Sequence, residues 1–271
     1  MTSNHLHRDH APISAEAFAL IEAQARDVLQ TNLAARKIVD LDGPHGWAHT
    51  AVDLGRTSDL PQLSDGAVRA RLRRTQPLIE LRVPFSLSLA ELDDIDRGAV
   101  DPGLDPVMDA AKSLARAEDH AVFYGVPDAG VHGIVSHAEH ATVPLAASFE
   151  DFPSSVVRAL AQLRDSGVSG PYAVLLDASA YAKLTSLTGP GGYPVLHHVQ
   201  RLIEGPALWA PALQGALVVS LRGGDFQLVL GQDVSLGYLA HDRKHVELYL
   251  EESFTFRLLG PEAAVPLVAS P

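Results

Sequence analysis

Residues 245–258 alternate apolar and polar side chains over an unusual length, with Val246, Leu248, Leu250, Phe254, Phe256 and Leu258 on one face. Period-two alternation is the signature of a half-buried strand. A second strict alternation lies far earlier in the chain. There Ile79, Leu81, Val83, Phe85, Leu87 and Leu89 point one way, and Glu80, Arg82, Pro84, Ser86 and Ser88 the other. The segment 222–238 reads as two short strands joined at Gly231. The long strand is expected to pair with both 225–239 and 78–87, which builds a first domain from separated pieces of chain. Pro84 marks an edge or a bulge, because proline cannot donate to a ladder. Glu252 interrupts the apolar face and is expected at a bulge.

Helices frame this sheet. Ser14 can cap a helix running to about Arg36, in which Phe18, Ile21, Ala25, Val28, Leu29 and Leu33 form one stripe. Such a stripe either packs wholly into core or leaves a groove for a partner, and both readings stand. Ser88 and Glu91 have capping-box spacing for a short helix ending at Gly98. Asp105 is expected to cap a long helix with Pro106 as its first residue and Gly125 as its stop. The acids Glu91, Asp93, Asp94 and Asp96 lack the loop glycine and distal glutamate of a calcium loop, and read as a solvated helix face.

Residues 50–76 differ in composition. They are polar and carry Arg56, Arg69, Arg71, Arg73 and Arg74, with Val68, Ala70 and Leu72 alternating against arginines. A two-stranded arm of this kind cannot bury itself. It is either a solvated surface hairpin or an arm reaching a neighbouring subunit. From Val131 to Leu221 helices and strands alternate: helices at 153–165, 178–187 and 196–203, strands at 172–177 and 215–221, and a glycine-rich loop at Gly189, Pro190, Gly191 and Gly192. This reads as a compact second domain. The final GPEAAVPLVASP is expected as a loosening tail.

The bulk numbers exclude several functions. A net charge of -12 argues against nucleic acid, whose binding needs a basic footprint, and against anionic membranes. No apolar run is long enough to span a bilayer, and the N-terminus lacks a signal-type apolar segment. The absence of cysteine removes disulfides and suits a cytoplasmic protein.

Thirteen histidines require metal sites to be weighed. His5, His7 and His10 cluster at the N-terminus. His132, His137 and His140 are near one another, His197 and His198 are adjacent, and His241 and His245 flank a basic turn. None has His-Glu-x-x-His or comparable spacing. No Gly-x-Ser-x-Gly elbow and no Walker lysine is present. No catalytic residue and no metal ligand is assigned.

Seven stretches in order resemble the encapsulin family of bacterial shell proteins. They are LHRDHAPIS at 6–14, LAARKIVDLDGPHGW at 33–47, PLIELRVPFSLSLAELDDIDRG at 77–98, GPYAVLLD at 170–177, GGYPVLHHVQRLIEG at 191–205, RGGDFQLVLGQDVSLGY at 222–238 and ESFTFRLL at 252–259. The resemblance implies an α+β chain with the tailed-phage major capsid protein fold. Its peripheral domain would comprise 1–49, 77–130 and 222–271 with the tail. The axial domain would be 131–221 and the extended arm 50–76. It implies a closed icosahedral shell of about sixty copies, acting by containment rather than catalysis. The arm arginines 56, 69, 71, 73 and 74 would meet carboxylates of a neighbour.

The resemblance also implies sites. Cargo enzymes of the family carry a C-terminal targeting peptide. It would dock at Leu29, Leu33, Arg36, Ile38 and Asp40, with Asp233 and Leu236 opposite. Typical cargos are dye-decolorising peroxidases and ferritin-like iron oxidases, which gives the chain an expected role in iron storage or oxidative stress. The five-fold pore loop would be Ser186, Leu187, Thr188, Gly189, Pro190, Gly191, Gly192 and Tyr193, with His197 and His198 nearby. Some members stack flavin on a tryptophan in the segment matching 87–91. Ala90 stands there, so no flavin is expected. The N-terminal histidines are not a family feature; as lumenal groups they would be weak iron ligands at most. The competing readings are a hydrolytic or histidine-metal enzyme and a viral capsid protein of the same fold.

Overall fold

The computed structural model describes residues 5–146, 148, 151–189 and 192–268. Its centre is the long alternating strand, β13 (His245–Leu258). Along one edge it pairs antiparallel with β4 (Ile79–Ser88), from Phe254 opposite Ile79 to His245 opposite Ser88. Along the other edge lie β11 (Phe226–Leu230) and β12 (Ser235–His241), end to end. The short β1 (Asp40–Asp42) runs parallel to β11 and completes a five-stranded sheet. The expected pairing of three separated segments is therefore present, and Pro84 sits on the edge strand.

Between β11 and β12 the chain approaches β13 closely at Gly231. A Cβ there would stand 2.5 Å from Ser253 Oγ and 2.6 Å from Leu78 Cδ2. Glycine is the residue that fits. The sheet's irregularities are on this side of β13, in the bend at 231–234 and at Leu239, where the register of β12 shifts. The bulge expected at Glu252 is absent: β13 runs in unbroken register with β4 past that residue. Glu252 keeps its place on the apolar face because it is fully buried and ion-paired, as described below.

That apolar face carries two helices. In α1 (Ala15–Asn32) Ser14 Oγ accepts from Ala17 N at 3.0 Å, so the expected cap forms. Ala17, Ile21, Ala25 and Leu29 are buried against Leu248 and Leu250 of β13 and against α3 (Asp105–Tyr124). The helix ends four residues before Arg36, at Asn32. Beyond it, Asp119 of α3 accepts from the backbone N–H groups of Ala34 and Ala35, each at 3.0 Å. Those bonds turn the chain away from the helix axis. The first half of α3 belongs to this core. Its last turn, with Ala121, Val122 and Phe123, belongs to the second core together with Phe254 and Phe256. One helix and one strand thus span both domains. Gly125 ends α3 at φ +82°, where a side chain is strained.

Two capping expectations fail. Ser88 precedes α2 (Leu89–Asp96) without a side-chain cap, because Glu91 Oε2 instead accepts from Gly103 N at 3.0 Å. At α3 the capping position is Leu104, and Asp105 and Pro106 are the first two helical residues.

The second domain is a five-stranded sheet of β7 (Val143–Pro144), β14 (Ala264–Val268), β10 (Ala216–Ser220), β8 (Tyr172–Leu176) and β9 (Ala207–Trp209), in that order. Helices α4 (Phe152–Asp165), α5 (Ala178–Ser186) and α6 (Val195–Ile203) bury Val156, Leu163, Leu184 and Val199 on it. Asp177 caps α5 through Ala180 N. The C-terminal segment corrects an expectation. As far as residue 268 it is no tail of the first domain. Ala264, Val265, Pro266 and Leu267 are buried, and β14 pairs with β10 on one side and β7 on the other. Its short AVPLV pattern is a fully buried strand, which alternation does not flag. A two-stranded link, β5 (Gly125–Val126) with β6 (Val131–His132), joins the domains.

The remaining strands, β2 (Ala51–Asp59) and β3 (Arg71–Pro77), form the expected arm. Gln76 Nε2 pins its root by donating to Thr255 Oγ1 and Phe256 O. Leu63, Val68 and Leu72 are 67%, 61% and 54% exposed.

Candidate functional site

The turn after α1 places Arg36 beneath a groove. Its walls are Ala25, Arg26, Leu29, Gln30 and Leu33 on one side and Asp233, Val234, Leu236 and Leu250 on the other, around a space of ≈ 550 Å³. The stripe of α1 is therefore both core and groove. Its buried edge packs on α3, and Leu29 and Leu33 also reach the opening.

Arg36 holds the floor. Its Nε donates to both oxygens of Glu118 at 2.9 Å, Nη1 to Asp233 Oδ1 at 2.8 Å, and Nη2 to Glu118 Oε2 at 2.5 Å and Glu252 Oε2 at 2.9 Å. Glu118 and Glu252 are fully buried, whereas the Asp233 side chain is half exposed. Burial alone would lower the Arg36 pKa. Hydrogen bonding and charge from Glu118, then charge from Glu252 and Asp233, hold it above the ordinary arginine range. Burial, with Glu118 beside it, raises Glu252 well above the usual carboxylate value against the pull of Arg36. Burial pushes Asp119 up to about 7 although two amide donors oppose the shift.

Of the seven residues expected to hold a peptide, Leu29, Leu33, Arg36, Asp233 and Leu236 line this groove. Two are placed elsewhere. Ile38 is buried in the second core, and Asp40 Oδ2 accepts from Gly224 N at 2.6 Å. Val234, within the stretch 233–238 expected opposite the helix, lines the groove too, whereas the sequence reading missed Leu250 and the cations Arg26 and Lys37. Leu250 was legible only as core.

The glycine-rich loop leaves α5 at Ser186 and returns through a bridge of Thr188 to Pro194, with Gly189 N donating to Tyr193 O at 2.8 Å. Pro190 and Gly191 lie outside the described residues. Tyr193 is 52% exposed and its ring meets His197 edge-on. His198, Arg201, Leu202 and Tyr193 line a hollow of ≈ 450 Å³.

On the arm, Arg71 pairs with Asp59 at 3.5 Å and Arg73 with Asp53 at 3.7 Å. Arg56 and Arg74 are direct cross-strand partners. Like charges opposite one another destabilise an isolated ladder. Arg69 precedes β3.

The histidines do not converge. His5 stacks on Trp47 at 4.3 Å, while His7 and His10 face each other at 6.1 Å. His132 Nδ1 lies 2.9 Å from His137 Nε2, but His140 turns to Glu262 O. Among the described residues no three potential ligands are gathered, and no helix is long and apolar enough to cross a membrane.

The family described as the encapsulating protein for peroxidase matches residues 3–255. This chain belongs to the encapsulin shell-protein family. The type 1 encapsulin shell protein of Rhodospirillum rubrum is 56% identical over 270 residues, covering 97% of this chain and 96% of that protein. That of Rhodococcus erythropolis is 45% identical over 262 residues, covering 97% and 98%. Encapsulin shell proteins are structural assembly proteins rather than enzymes. The fold is that of capsid proteins. A virus-like particle from Pyrococcus furiosus aligns with a TM-score of 0.63 at 18% identity, over 92% of this chain and 98% of that one. The capsid of an empty GTA particle aligns with a TM-score of 0.56 at 18% identity, over 88% and 90%.

The Arg36 cluster generates a stability prediction. Arg36→Ala leaves two carboxylates buried without a counter-charge, and removing one partner of a buried pair costs about 3–5 kcal/mol. Thermal unfolding of the variant encapsulin should show a loss on that scale. A change within that of a surface substitution would contradict the role assigned to Arg36.

Proposed function

We propose that about sixty copies of this encapsulin close into a cytoplasmic icosahedral shell, and that the groove above Arg36 seats the C-terminal targeting peptide of a cargo enzyme. The observation that carries the cargo reading is the groove itself. Leu29, Leu33, Leu236 and Leu250 offer aliphatic contacts, and Arg26, Lys37 and Asp233 supply polar ones. The apolar contacts would supply affinity at roughly 25 cal/mol per Å² of area removed from water. The family's description names a peroxidase, which supports a peroxidase as cargo; we take it to be of the dye-decolorising type, with a ferritin-like protein as the alternative. A peroxidase would give the shell a part in oxidative stress, a ferritin-like cargo one in iron storage.

Assembly is assigned to the arm. Leu63, Val68 and Leu72 stay more than half exposed within the subunit, and its facing arginines need carboxylates from elsewhere. The loop from Ser186 to Tyr193 is assigned to the five-fold opening, with His197 and His198 as its ionisable neighbours. No flavin is assigned, since Ala90 is an exposed methyl on α2 with no ring to stack on.

Three outcomes test these assignments. Size exclusion with electron microscopy should show a hollow particle, and the double change Val68→Asp and Leu72→Asp should leave folded subunits that no longer close. Intact particles from that variant would remove the arm from assembly. A reporter fused to the C-terminal peptide of a peroxidase from the same genome should co-purify with the shell, and Val234→Asp should lower its loading at least tenfold. Equal loading would remove the groove from cargo capture. Exchanging 188–192 for a shorter linker should change the rate at which a small peroxidase substrate enters loaded shells. An unchanged rate would reject the pore assignment.

A further inference from the structure

Three carboxylates share the single guanidinium of Arg36, and two of them are out of water. They are not equally served. Glu118 receives Nε on both oxygens and Nη2 on one. Asp233 is half exposed and also accepts from Val234 N at 2.8 Å. Glu252 receives one bond, on Oε2, and its Oε1 is buried without a hydrogen-bond partner of the ordinary donor kinds. Glu118 and Glu252 both accept from the same Arg36 nitrogen, Nη2, at 2.5 and 2.9 Å, which sets the two buried carboxyls side by side. Two carboxyl groups bond each other only when one brings a proton. The poorly served oxygen shows which one does.

We propose that Glu252 stands in the assembled shell as the neutral acid, bridging Arg36 and Glu118, and that its ionisation on the alkaline side unclamps the groove floor. The surroundings agree. Lys37, a second cation of the groove lining, acts on Asp119. Asp119 spends both oxygens on the amides of Ala34 and Ala35. On β13 the next carboxylate, Glu251, points to the opposite face and is bound by Arg82 from β4. Nothing else near Glu252 compensates a second buried charge.

The direction follows from linkage. An acid with a raised value in the folded state contributes stability that is complete below its unfolded value and is lost as pH rises through the folded one. Ionised Glu252 would face Glu118 across one guanidinium, and like charges that close repel. Gly231 and Gln232 stay bonded to Ser253, so the contact that loosens is the one between Arg36 Nη1 and Asp233 at the groove wall. The clamp is thus a pH-sensitive element of the shell itself, whatever the groove takes.

Glu252→Gln mimics the neutral acid, with its amide donating to Glu118 and its carbonyl accepting from Arg36. Thermal unfolding of assembled wild-type shells, followed from about pH 6 to about pH 10, should show a midpoint that falls on the alkaline side. E252Q should reduce that fall by at least half, and D119N should remove only the part that Asp119 contributes near pH 7 and keep the rest. Infrared difference spectra of the wild-type shell over the same range should show a protonated carboxyl band disappearing, and the D119N shell should retain it. An alkaline limb unchanged in E252Q would overturn the proposal. So would a wild-type shell with no such band, or its loss in D119N. The infrared test stands even if E252Q does not assemble.

Discussion

Four parts of the subunit meet at one guanidinium. Arg36 follows the N-terminal helix, Glu118 is on the long helix, Glu252 is on the central strand and Asp233 is in the bend between β11 and β12. Apolar packing brings the same elements together, but it is tolerant of small slides. A planar fork with fixed donors is not, so the ion cluster sets register where the hydrophobic core sets proximity. Such an arrangement is weak evidence of net stability, because desolvating an arginine and two acids is expensive. Its value lies in specificity. The groove has one shape because its floor has one geometry.

Most of the first domain was legible in sequence because its signal is repetitive. Fourteen residues of alternation in β13 and ten in β4 survive any single exception. The exception was the informative residue. Glu252 reads as an interruption when only polarity is counted, and as the partner of an arginine more than 200 positions away once the fold is known. No local rule couples those positions. The capping box at Ser88 failed for the same kind of reason, since a tertiary acceptor role at Gly103 outcompeted a local one for Glu91. The strand β14 escaped because a fully buried strand lacks alternation. Within the groove, the aliphatic lining was visible as helix stripe and as resemblance. Ile38 and Asp40 lie in the same short segment but serve packing and a glycine turn.

The arm shows the opposite economy. The core resolves its buried charges internally. The hairpin from 51 to 77 leaves apolar side chains in water and sets Arg56 against Arg74. A monomer gains little from such a segment. Under the assembly proposed above each deficit would become a contact, and contacts made by many copies reinforce one another.

Both sheets share a timing constraint. The first lacks its middle strand until residues 245–258 exist, and the second lacks an inner strand until 264–268 exist. Pairings this distant in the chain form slowly, after loop closure has been met. A subunit still emerging from the ribosome therefore has neither sheet complete and presents no finished edge to a sister copy. Both sheets therefore close late and together, once the stretch from 245 to 268 has met partners laid down far earlier in the chain.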